Sequence, residues 1–71
     1  MKVSTVNVLE VIENVPSQIV SFKDDKKGNK EAEDLFTEMA KENGANNEDM
    51  ESYVEDGVFS SGTYELFLIH S

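Results

Sequence analysis

Ala32, Leu35, Phe36, Met39 and Ala40 recur at i, i+3, i+4, i+7 and i+8. That spacing gathers apolar side chains on one face of an α-helix and on no other regular structure. The spacing predicts a helix over residues 30–43. Asn29 is placed to cap its first turn, and Glu31, Glu33 and Asp34 lie near the positive end of the helix dipole. Gly44 stands where a C′ residue stops the helix. A helix with one apolar stripe must lay it on a second apolar surface, so the rest of the chain has to supply one.

Two β-rich segments precede the helix. In 3–13, VSTVNVLEVIE, Val6, Val8 and Ile12 share one face while Val3, Leu9 and Val11 share the other. Apolar residues on both faces predict a central strand or a bulged one. Residues 13–18, ENVPSQ, read as a turn in which Pro16 pre-sets φ. QIVSF, 18–22, reads as a second strand in an antiparallel hairpin with the first. The polar segment 23–30, KDDKKGNK, reads as a loop in which Asp24 and Asp25 interrupt Lys23, Lys26, Lys27 and Lys30.

After Gly44, Asn46 or Asn47 caps a shorter helix over 48–56, with Met50, Tyr53 and Val54 as its inner stripe and Gly57 at C′. Asp56-Gly57 could instead turn a hairpin between 52–55 and 58–61. The cap and the acidic first turn favour the helix. Ser60, Ser61 and Gly62 read as a turn into a last strand over 63–70. The expected architecture is a single α+β domain over residues 1–71. It is a small two-layer ββααβ unit, with two helices on one face of a three-stranded sheet and the last strand beside the first or the second, the first being favoured because it is apolar on both faces. A chain of 71 residues without cysteine must rely on its apolar core, helped by oligomerisation, for stability.

Candidate chemistry gathers at the end of the chain, where Ser60, Ser61, Glu65 and the single histidine, His70, occur together. Glu65 and His70 are five positions apart and so face opposite ways on a strand. The expected role of His70 is a strand end, not a general base. Glu48, Asp49, Glu51 and Glu55 form an acidic helical surface without a calcium-loop pattern or a histidine partner. No catalytic residue, cofactor or metal is therefore assigned. Tyr64, Phe67 and Ile69 are the candidate self-association surface, because one helical layer cannot cover both faces of an apolar strand.

Net charge is −9, and every basic side chain is a lysine. Direct nucleic-acid binding wants a basic face, often with arginine forks, so that class is excluded as an expectation. Residues 1–15 lack a continuous apolar run, and no window approaches the about 20 apolar residues of a membrane span. The default is a cytoplasmic protein. The expected function is that of a small, acidic, non-enzymatic interaction module acting as a homodimer, with a basic protein as a further partner. The alternative is a nucleic-acid mimic that blocks a DNA- or RNA-binding protein. The composition is similar to that of small inhibitor proteins encoded by phages.

Overall fold

The structure is a computed structural model that describes residues 4–70. It contains β1 (Thr5–Ile12), β2 (Val15–Lys23), α1 (Lys26–Glu42), a one-turn 3₁₀ segment (Asn47–Asp49), α2 (Met50–Asp56), β3 (Val58–Ser61) and β4 (Tyr64–His70). The α+β class and the two helices agree with the sequence reading. The sheet, however, has four antiparallel strands in the order β2-β1-β4-β3, not three. The extra strand is β3, only four residues long. Ser60 and Ser61 belong to it, pairing with Glu65 and Tyr64, and the turn is Gly62-Thr63 alone. The last strand does lie beside the first, with Val6 opposite His70 and Ile12 opposite Tyr64. Val3, placed on strand one by its pattern, lies outside the described residues.

The first hairpin turns earlier than Pro16 suggests. Glu13 and Asn14 both have positive φ, 53° and 66°. That combination is a two-residue type I′ turn, whose twist matches the flanking strands. Strand two therefore begins at Val15. Ser17 is an extra residue between Gln18, opposite Glu10, and Pro16, opposite Val11. Proline is tolerated there because β2 is an edge strand and the register breaks beside it.

Helix α1 starts four residues before its expected start. Asp25, not Asn29, is the N-cap, and its Oδ1 accepts from the Gly28 N–H at 2.7 Å. Lys26 and Lys27 occupy the first turn in place of acidic residues, so the supposed lysine loop is mostly helix. A glycine three residues into a helix is normally a liability, but here it is required. A Cβ on Gly28 would run into the carbonyl oxygen of Lys23, so the glycine lets α1 leave β2 without a longer loop. At the other end Gly44 fulfils its expected role. Its N–H donates to Lys41 O and that of Ala45 to Ala40 O, closing a Schellman motif. Helix α2 ends as expected at Gly57, φ 73°. A Cβ there would meet Leu68 O at 2.7 Å. The preceding Asn46 side chain accepts from the Glu48 N–H.

Both helices lie on one side of the sheet. Ala32, Phe36 and Ala40 pack fully buried against Val6, Val8, Leu66 and Leu68, with Met50 and Phe59 closing the core. Leu35 and Met39 flank it. The shortest dimension, 16 Å, is that of one sheet and one helical layer.

Two substitutions test this account. Asn14→Gly should raise stability by about 1 kcal/mol, the penalty of a left-handed non-glycine residue, read as a higher urea midpoint at unchanged slope. Gly28→Ala should cost about 2 kcal/mol or more, because backbone on both sides has to move. A thermal midpoint equal to wild type would refute the close approach.

Candidate functional site

The strand register divides the side chains of the sheet into two sets. Val6, Val8, Glu10, Val20, Phe22, Phe59, Tyr64, Leu66, Leu68 and His70 share the helix-covered face. The opposite face carries Ile19, Leu9, Phe67 and Val58 in direct register, one from each strand, forming an apolar row across the whole sheet. Ile19 is 62% exposed, Val58 39% and Ile69 41%. Leu9, Val11 and Phe67 are half-buried, because neighbouring side chains of the same face shield them. Of the proposed self-association residues, Phe67 and Ile69 lie on this open face. Tyr64 does not. It points to the helix side, where its ring packs near Phe59 at 6.3 Å between centroids. Leu9, Ile19 and Val58 complete the row. Strand alternation identified the open face of β4, but pairing Leu9 with Ile19 and Val58 requires the register.

The polar residues of the open face largely satisfy one another. Ser21 Oγ donates to Asn7 Oδ1 at 2.6 Å, and Asn7 Nδ2 donates to Thr5 Oγ1 and to Ile69 O. Charge is sparse there. Among the described residues only Lys23, near the Thr5 end, and Glu65, near the Val11 end, lie on this face.

The helical layer is the electrostatic opposite. From Lys26 to Asp56 it holds ten of the fifteen acidic residues and four lysines, Lys26, Lys27, Lys30 and Lys41, for −6 of the net charge of −9, and from Glu31 onward Lys41 alone interrupts the acidic residues. All ten carboxylates are exposed, Glu48, Asp49, Glu51 and Glu55 among them. Among the described residues, no three His, Cys, Asp or Glu side chains come together as a metal-binding group.

The serine–histidine combination of the sequence is taken apart by the fold. Ser60 and Ser61 sit opposite Glu65 and Tyr64, whereas His70 is at the other end of β4. Five residue steps of strand separate Glu65 from His70, about 16 Å. His70 is not a frayed end either. Its Nε2 lies 2.9 Å from Asn29 Oδ1, while Asn29 Nδ2 donates to Asp24 Oδ1 and Asp25 O. With both amide hydrogens of Asn29 committed, Nε2–H of His70 is the donor. This chain ties the end of β4 to the first turn of α1. A shallow groove of about 220 Å³ beside that turn, between Phe22 and Glu31, is lined by both charge signs, Lys23 and Lys27 against Asp25 and Glu31.

One titrating group is strongly perturbed. Tyr64 Oη donates to Glu10 Oε2 at 2.9 Å. Burial first, then that hydrogen bond and the charges of Glu10 and Glu42, hold the phenol well above its ordinary value.

No family model, curated protein or solved structure matches the chain. No helix among the described residues is long and apolar enough to cross a membrane.

The Tyr64 pair predicts an alkaline effect. The unfolded chain releases a tyrosine proton near pH 10 and the folded chain later, so the folded state binds more protons and loses stability as pH rises beyond 10. Tyr64→Phe should lower the melting temperature at pH 7 by the equivalent of about 1 kcal/mol. It should also flatten the decline above pH 10. Parallel melting curves for the two proteins above pH 10 would contradict this assignment.

Proposed function

We propose that the protein is a non-enzymatic interaction module that works through two surfaces of opposite character. The open sheet face engages a second copy, and the acidic helical layer engages a basic protein. The segregation of charge carries this reading: ten of the fifteen acidic residues lie in the helical layer, which holds −6 of the net charge of −9. The apolar row runs across a face with one lysine and one glutamate. Exposed apolar patches of this kind, bounded by polar residues, are characteristic of association surfaces. A dense one-sign surface steers oppositely charged partners.

A nucleic-acid mimic is the second reading, favoured by the ten exposed carboxylates of the helical layer. In that case the basic partner is a DNA- or RNA-binding protein and the carboxylates stand in for phosphates. A partner whose nucleic-acid affinity is untouched by saturating amounts of this protein would remove it.

The two surfaces respond to salt with opposite signs. Copies that each carry −9 repel one another, so screening should strengthen self-association, whereas a complex with a basic protein should weaken. Sedimentation velocity at micromolar to millimolar protein, at low and high salt, reads the first effect. A monomer under all conditions would refute the self-association half of the proposal.

A further inference from the structure

Resting on the self-association reading above, we infer that the second copy packs face to face on the open sheet. The two-fold axis runs along the row Ile19–Leu9–Phe67–Val58. Three observations carry this geometry.

The first is electrostatic. Two chains of net charge −9 must meet where neither carries much charge, and the open face is the one sheet surface that meets this condition. An axis along the apolar row sets each row against its own copy, so apolar meets apolar in all four strands. The same operation reverses the ends of the strands. The Lys23 end of one copy then lies over the partner's far end, where Glu65 and the Glu13 turn are found. An axis parallel to the strands would instead set lysine end on lysine end and glutamate end on glutamate end.

The second concerns the alternative of edge pairing. Both edges of the sheet are blunted. β2 carries Pro16, the extra residue Ser17 and Lys23, and β3 has four residues. Proline, bulges, lysine and short length are the devices by which edge strands resist pairing. The open face has no such protection. Its Ser21, Asn7 and Thr5 side chains bond one another and stay partnered when water is removed.

The third is size. Four strands about 4.8 Å apart and about seven residues long give a footprint of roughly 450 Å² per copy. Two such faces cover roughly 900 Å², at the low end of specific interfaces, which fits a reversible dimer and not an obligate one. Two sheets packed in this way lie about 10 Å apart.

A charge-complementation experiment tests the axis. Ile19, 62% exposed, faces its own copy in this geometry. Ile19→Lys and Ile19→Glu should therefore each weaken the dimer at least about tenfold by like-charge opposition, and an equimolar mixture should recover association as a heterodimer. Because Ile19 lies outside the helix-side core, circular dichroism and melting temperature should stay near wild type. Phe67→Glu, at the middle of the row, gives an independent loss of dimer. If wild type sediments as a monomer at hundreds of micromolar, both the geometry and the self-association reading fall. If wild type dimerises but all three variants dimerise equally well, self-association stands and the open face is wrong. Monomeric variants whose mixture stays monomeric overturn the two-fold along the row.

Discussion

The contact on which this structure depends is that of one helix with two central strands. Ala32, Phe36 and Ala40 of α1 are wholly buried against Val6 and Val8 of β1 and Leu66 and Leu68 of β4. Small alanines flanking one phenylalanine let the helix approach the sheet closely while the ring fills the space between. Everything else is arranged so that α1 can reach that position. Asp25 caps it immediately after β2, and Gly28 clears the Lys23 carbonyl. The Schellman turn at Gly44 sends the chain back toward α2. The His70–Asn29–Asp24 chain then fastens the last strand to the helix it covers.

That packing is one-sided. A single helical layer satisfies one face of the sheet and leaves the other to water or to another molecule, because the described residues form no third layer. The consequence is a molecule with two unlike sides. The helices carry the negative charge outward, and the uncovered strands present apolar side chains in register. In a face-to-face pair the two anionic layers would point away from each other, which is the arrangement of lowest repulsion between like-charged copies.

Much of this was legible in the residues. The stripe of α1 is unmistakable because helical period and side-chain type coincide, and Gly44 and Gly57 end their helices as read. The start of α1 was not legible, since KDDKKGNK is a plausible loop and only contact with β2 makes Gly28 a helical residue. The strand Val58–Ser61 surfaces in the sequence only within the hairpin alternative around Asp56-Gly57, for a similar reason. Four residues between two glycines carry too little periodicity to be told from a turn, and Phe59 becomes a core residue only once it faces Leu66. Tyr64 was grouped with Phe67 and Ile69, although strand alternation alone puts it on the other face, where its hydroxyl meets Glu10.

By itself the sequence determined the class of the fold, both helices, and an acidic chain with apolar residues on both sides of its last strand. These are local properties: periodicity, caps and composition do not need distant neighbours. Tertiary structure alone decided the fourth strand, the register and the fate of the histidine and serines. Register is a relation between strands far apart in sequence, and a shift of one residue would exchange the two faces. Only when β2, β1, β4 and β3 are aligned do Ile19, Leu9, Phe67 and Val58 become one surface.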